Sequence, residues 1–206
     1  LIEEPLASAI GAKIPIAQAS GHMIVDIGGG STEAAVISLG GVVVHKSARV
    51  AGNKIDEAIA QFVKKTYNLM IGERMSETIK MTIGTAVEDE PRTIEVRGRD
   101  AVSGLPRMIT LTSREVVTAI MPVLNQIIGC VKSALQDTPP ELAADIIDKG
   151  IIMAGGTSTL RNLDKLMTQV TGVVCHVAED PLLCVVRGTG VALENIELYK
   201  RSVSKK

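Results

Sequence analysis

Two short apolar runs in this chain each end in glycines followed by hydroxyl side chains, and this repeated pattern limits the possible folds more than any other feature. The first is Met23-Ile24-Val25-Asp26-Ile27-Gly28-Gly29-Gly30-Ser31-Thr32 and the second is Ile151-Ile152-Met153-Ala154-Gly155-Gly156-Thr157-Ser158. An apolar run of this length bounded by glycine reads as a buried strand entering a tight turn. Buried strands need helices on their faces, so the pattern points to an α/β layout.

The glycines have a chemical reading as well as a turn reading. Without Cβ atoms, Gly28, Gly29 and Gly30 let backbone N–H groups come close to phosphate oxygens. Asp26, delivered to the end of the first strand, can hold a divalent cation through water, and Ser31 and Thr32 add donors. Gly155, Gly156, Thr157 and Ser158 repeat the arrangement at what reads as a helix start, whose positive end attracts anions. Either turn alone also suits a hairpin or a capped strand-to-helix connection. Two in one chain favour a shared nucleotide.

A third candidate is Leu1-Ile2-Glu3-Glu4-Pro5. Pro5 suits a first helical turn and leaves Glu4 at the helix N-terminus, where a carboxylate near a triphosphate can orient a water for attack or simply favour the helix end.

The remaining elements follow from periodicity. Strands are expected at 34–39 and 42–45, joined across Gly40-Gly41, and a helix from near Asn53 with acids in its first turn and Lys64-Lys65 in its last. A helix over 73–83 precedes an antiparallel pair at 93–96 and 108–111. Ser113 offers an N-cap to a long helix that stops at Asp137-Thr138-Pro139-Pro140, with Pro122 kinking it or marking its start. A helix carrying Leu160, Leu163, Leu166 and Val170 ends at Gly172. A strand at 173–177 and a helix through Ala192 complete the core, and the polar tail 199–206 is expected to fray. The nucleotide-binding core is thus expected over 1–70 and 139–206, with a smaller inserted subdomain over 71–138.

Composition removes several function classes. Twenty-two basic and 23 acidic residues leave a net charge of −1, without a basic block for nucleic acid. Cys130, Cys175 and Cys184 lack C-x-x-C spacing and read as buried free thiols, and His22, His45 and His176 lack partners at ligand spacing. No continuous apolar run reaches the ~18 residues of a membrane span. With three aromatic residues in 206, the core must be built from aliphatic side chains.

The segments LIEEP, VDIGGGST, AGNKIDEAI, NLMIGER, IEVRGRD, TPPELAADI, AGGTSTL and AEDPLLCV, in this order and spacing, resemble the MreB family, part of the actin and heat-shock-chaperone ATPase superfamily. The likeness runs over essentially the whole chain. It implies the second half of an actin-like, ribonuclease H-like ATPase, with a mixed sheet flanked by helices and a smaller α+β insert. It implies ATP and Mg2+ as ligands: Gly28, Gly29 and Gly30 as the second phosphate loop, Asp26 as the metal-side carboxylate, and Gly155, Gly156, Thr157 and Ser158 as the adenosine loop. Ser76, Glu77, Thr78, Ile79 and Lys80 match the segment lining the base, Glu4 the residue that positions the hydrolytic water, and Ser31 the hydroxyl linking phosphate state to the domains.

The resemblance further implies a cytoplasmic protein peripheral to the inner face of the cell membrane. Its partners would be copies of itself in filaments, membrane-anchored cell-wall elongation proteins, and the membrane surface; nucleic acid is not among them. Weak ATP hydrolysis would drive filament dynamics. Two departures stand out: Ser31 where the family commonly has threonine, and two glycines before Thr157 where it tends to have three. The family's first phosphate loop and membrane-binding surface are not among these 206 residues, and the chain opens within an element, so it reads as a piece of a longer protein that alone binds ATP weakly and hydrolyses it poorly. The alternatives are another ATPase or kinase half of the same superfamily, or a filament scaffold that uses no nucleotide.

Overall fold

The computed structural model describes residues 1–196 and Tyr199. A five-stranded mixed sheet, ordered β3-β2-β1-β7-β8, forms its centre. Strand β1 (His22–Ile27) pairs antiparallel with β2 (Thr32–Ser38), which pairs antiparallel with β3 (Gly41–Ala48). On its other side β1 runs parallel to β7 (Ile151–Ala154), which runs parallel to β8 (Cys175–Val177).

Side-chain alternation along β1 divides the core in two. Met23, Val25 and Ile27, with Ala34 and Val36 of β2, pack into a large cluster containing α2 (Gly52–Tyr67), α4 (Ser113–Gln136) and α6 (Leu163–Thr171). Ile24, Ala35 and Ile37 face the other way, onto α1 (Glu4–Gly11) and α7 (Cys184–Glu194). Asp26, two positions after Ile24, shares the α1/α7 side.

Helices α1 and α7 cross with backbones almost touching. A Cβ on Gly188 would lie 1.7 Å from the Ala7 carbonyl oxygen, and one on Gly11 would lie 1.8 Å from that of Cys184. Only glycine at both positions permits this approach.

A three-stranded antiparallel sheet, β4-β5-β6, is formed by β4 (Leu69–Met70), β5 (Thr93–Asp100) and β6 (Pro106–Thr112), with α3 (Glu73–Ile83) packed on β5 and α2. Helix α4, which falls within the expected insert 71–138, packs on β2 and β3 of the large sheet. By length and composition α4 could cross a membrane, with mean hydropathy 1.4, but half of that window is buried inside the fold. That is the pattern of a core helix.

Several local expectations are corrected. The N-cap of α4 is Thr112, not Ser113: its hydroxyl accepts from Glu115 N–H while the Glu115 carboxylate accepts from Thr112 N–H, a complete capping box. Pro122 does not mark the start of α4, which runs through it from Ser113. The first turn of α2 holds no acid. Prolines 139 and 140 do more than stop α4: they begin α5 (Pro140–Lys149), a helix absent from the sequence reading. Leu160 precedes α6, because residues Gly156–Thr159 form a single 3-10 turn. The expected fray over 199–206 lies outside the described residues except for Tyr199.

Candidate functional site

Because β1 and β7 are parallel neighbours with Asp26 opposite Ala154, the turns that follow them emerge side by side at the same end of the sheet. Ligands of α/β sheets characteristically bind outside such carboxyl ends. Here the two turns share the wall of one cavity of ≈ 590 Å³.

The first turn is held at both ends. Gly28 N–H donates to the Ser31 carbonyl at 3.0 Å, while the Gly28 and Gly29 carbonyls accept from Gly52 N–H at 3.2 Å and Asn53 N–H at 2.8 Å. The start of α2 is thereby fastened to the loop, and Gly52 and Asn53 join the cavity wall. Among the described residues the N–H groups of Gly29 and Gly30 have no protein acceptor. They remain available to an anion.

The second turn is pressed against the first. Thr157 Oγ1 donates to the Gly28 carbonyl at 2.7 Å. Gly155, at φ 81°, lies so close to β1 that a Cβ there would sit 2.3 Å from the Ile27 carbonyl oxygen and 2.6 Å from Asp26 Oδ1. Gly52 is equally confined, since a Cβ would meet Thr157 Oγ1 at 2.6 Å and Lys80 Nζ at 3.5 Å. The turn after Gly155 is 3-10, not α, and its Ser158 hydroxyl folds back onto the Gly155 carbonyl at 2.6 Å. The expected helix dipole is therefore not aimed from this loop; α6 starts only at Leu163.

Asp26 is buried at the end of β1 and accepts from Ser8 Oγ of α1 at 2.6 Å. Burial pushes its carboxyl pKa up, the Ser8 bond opposes that, and Glu33 on the adjacent strand adds to the rise. Burial also raises Glu4, helped by the charges of Asp26 and Glu33. Glu33 itself is engaged by His45 Nε2 at 2.5 Å and Ser47 Oγ at 3.1 Å. Glu4 and Asp26 both line the cavity.

The segment 76–80 divides. Glu77 and Lys80 line the cavity, whereas Ser76 and Ile79 are in the core and the exposed Thr78 hydroxyl bonds the Arg74 carbonyl. Gly30, Ser31 and Ser158 are not on the cavity wall. Lys80 Nζ pairs with Asp56 Oδ2 of α2 at 2.8 Å. Gly52, Asn53 and Asp56 are wall residues that reading the sequence missed; the AGNKIDEAI segment contained them, but only their bonds to the glycine loop and to Lys80 reveal their place.

Among the described residues no group of three or more His, Cys, Asp or Glu is gathered for direct metal ligation. The donor set instead fits a hydrated Mg2+, which typically uses one or two carboxylates and takes its other ligands from water and phosphate. Asp26, desolvated and repelled by neighbouring acids, is a carboxylate that a cation would relieve.

A family model described as MreB/Mbl protein matches residues 1–201. The cell shape-determining protein MreB of Escherichia coli (strain K12) is 52% identical over 200 residues, covering 97% of this chain and 58% of that protein. The cell shape-determining protein Mbl of Bacillus subtilis (strain 168) is 48% identical over 206 residues, covering 99% and 62%. The crystal structure of MreB5 of Spiroplasma citri bound to ADP matches with a TM-score of 0.92 at 38% identity, over 97% of this chain and 61% of that one. The chain thus spans less than two thirds of the length of these relatives.

Proposed function

The chain belongs to the MreB/Mbl family, and from that premise we propose that it binds ATP between its two glycine turns as part of an actin-like filament subunit that directs cell-wall synthesis and cell shape from the inner face of the membrane. The observation that carries this reading is the Thr157 to Gly28 hydrogen bond of 2.7 Å, which closes the two turns around one cavity. Relatives named for cell-shape determination, and a relative bound to ADP, support it.

The groups of the site divide the work in this reading. The free N–H of Gly29, on the wall, donates to a phosphate oxygen, with the free N–H of Gly30 beside it in the same turn but off the wall, and Gly155, Gly156 and Thr157 border the sugar side. Glu77 and Lys80 flank the adenosine. Asp26, held in place by Ser8, would bind Mg2+ through water. The ion, when bound, supplies positive charge against the triphosphate. Glu4 lines the same cavity, and its raised pKa makes it a stronger proton acceptor than a carboxylate at the ordinary value, suited to orienting an attacking water. Ser31, whose carbonyl closes the first turn on Gly28, passes the state of that turn into β2. Hydrolysis would be slow and would serve filament turnover, with self-association and membrane-anchored wall-synthesis proteins as the partners.

Titration with a fluorescent ATP analogue tests the binding. Saturable, magnesium-dependent binding by this chain is expected, and no binding up to millimolar nucleotide overturns the reading. For the complete protein, electron microscopy should show ATP-dependent filaments; monodisperse monomers under all conditions would contradict the cytoskeletal role.

A further inference from the structure

The small sheet β4-β5-β6 ends in two unlike edges. Strand β4 offers two residues, too few to template another strand, whereas β6 has seven and pairs only with β5. Hydrogen bonds at the two ends of the β5–β6 ladder fix which way its backbone groups point. Ser113 N–H donates to the Arg92 carbonyl at 2.8 Å and Asp100 N–H donates to the Leu105 carbonyl at 2.9 Å, and the register between them is unbroken. Inward-bonding residues of an antiparallel strand alternate with outward-facing ones. Residues 105, 107, 109, 111 and 113 therefore bond β5, while 106, 108, 110 and 112 turn their backbone groups away from it. The Thr112 N–H is taken by the Glu115 carboxylate. The N–H groups of Met108 and Thr110, with the carbonyls of Pro106, Met108 and Thr110, line an open edge that has no backbone partner beyond it among the described residues. Such an edge is a template for a further strand.

The side chains beside this edge set the chemistry of what it can pair with. Ile109 and Leu111 pack into the core, whereas Pro106, Met108 and Thr110 lie on the solvent face, Met108 at 53% exposure. On that face Arg99 stands opposite Pro106, Arg97 opposite Met108 and Glu95 opposite Thr110. Among the described residues Arg97, with a 75% exposed side chain, approaches a carboxylate only at 3.8 Å, from Glu95, and Arg99 reaches only the Met70 sulfur at 3.8 Å. Both guanidiniums are short of acidic partners. Arg107, on the opposite face, already has one in Asp100.

We propose that the β6 edge docks an extended acidic segment of a partner protein, which joins the sheet as an antiparallel fourth strand. Main-chain bonds to Met108 and Thr110 hold it, and side chains at alternate positions select it. Acids facing Met108 and Pro106 meet Arg97 and Arg99, while the residue facing Thr110 is uncharged because Glu95 repels an acid there. Neighbouring strands lie about 4.8 Å apart, so an acid one strand beyond Met108 is within the joint reach of an arginine and a glutamate side chain.

Fluorescence anisotropy of this chain with a labelled peptide tests the proposal, the peptide carrying Thr, Glu and Glu at alternate positions in the order that faces Thr110, Met108 and Pro106. Saturable binding is expected, about ten-fold weaker when both Glu are replaced by Lys. Binding should also weaken about ten-fold when the peptide is N-methylated at the residue facing Met108, which removes a main-chain donor and leaves every charge. The double variant Arg97→Glu/Arg99→Glu should reverse the preference between the Glu and Lys peptides and keep the thermal midpoint of the wild type, since both side chains are exposed. No saturable binding up to millimolar peptide overturns the proposal. Undiminished binding of the N-methylated peptide overturns it too, because charge alone would then explain the contact. A dimer of this chain, paired through β6 and not displaced by the peptide, would assign the edge to a second copy and overturn it likewise.

Discussion

The hydroxyl of Thr157 donates a hydrogen bond to the carbonyl of Gly28, 129 positions earlier in the chain. Gly28 belongs to the turn after β1 and Thr157 to the turn after β7, and the parallel pairing of those strands sets them side by side. The same carbonyl accepts from Gly52 N–H at the start of α2. One oxygen thus joins three segments of the cavity wall.

Removing that hydroxyl should loosen the wall without emptying it. Thr157→Val keeps the shape and leaves the Gly28 carbonyl with its longer bond to Gly52. Urea unfolding should show a loss of about 1 kcal/mol, and ATP affinity should fall more than affinity for free adenosine, because the phosphate turn is the part released.

The α1–α7 crossing makes two glycines of one helix respond in opposite directions. Gly188→Ala forces a methyl into the Ala7 carbonyl and should cost about 3 kcal/mol or more. Gly190→Ala, where a Cβ meets nothing within 4 Å, should gain up to about 1 kcal/mol from helix propensity. Thermal melts of the two variants provide the comparison.

Asp26 should trade stability for ligand binding. Its folded pKa lies above the ordinary 3.8, so the folded chain holds a proton that the unfolded chain has already released. Its contribution is fully present below pH 3.8 and is lost as pH rises through the raised folded value. Asp26→Asn still accepts from Ser8 and removes that cost. Denaturation at several pH values should show a more stable variant at pH 7 and a flatter decline above pH 4, while magnesium-dependent ATP affinity drops.

Lys80 and Asp56 form a mostly buried ion pair in which Asp56 Oδ1 has no partner. Lys80→Met leaves an uncompensated carboxylate, whose pKa burial already raises, and should destabilise by about 1–3 kcal/mol, less than a fully buried pair because both side chains keep some exposure. The double variant Asp56→Leu/Lys80→Met should recover most of that loss in urea unfolding.

Much of this arrangement was legible because it is local. Residues 73–83 read as helix from their periodicity, and β1 announced itself as an apolar run into glycines. The actin-like fold implied by the family segments agrees with the match to MreB5. What was not legible depends on distant pairing. That the two turns meet follows from β1 lying beside β7, and Gly52 and Asn53 matter because of backbone bonds to residues two dozen positions away. Other misses came from misreading signals that were present. Thr112 with Glu115 is the spacing of a capping box, and Pro139-Pro140 suits a helix start as well as a stop. The leucines at 160, 163 and 166 keep helical spacing across a left-handed Asn162, which breaks the helix that their pattern suggests.

The most direct measurement is an NMR titration of this chain with Mg-ATP, following the backbone amides of Gly29 and Gly30 together with those of Gly156 and Thr157. Both sets should shift with one common dissociation constant, as expected when one nucleotide touches both turns. Shifts confined to one turn, or two unrelated binding curves, would contradict a shared site.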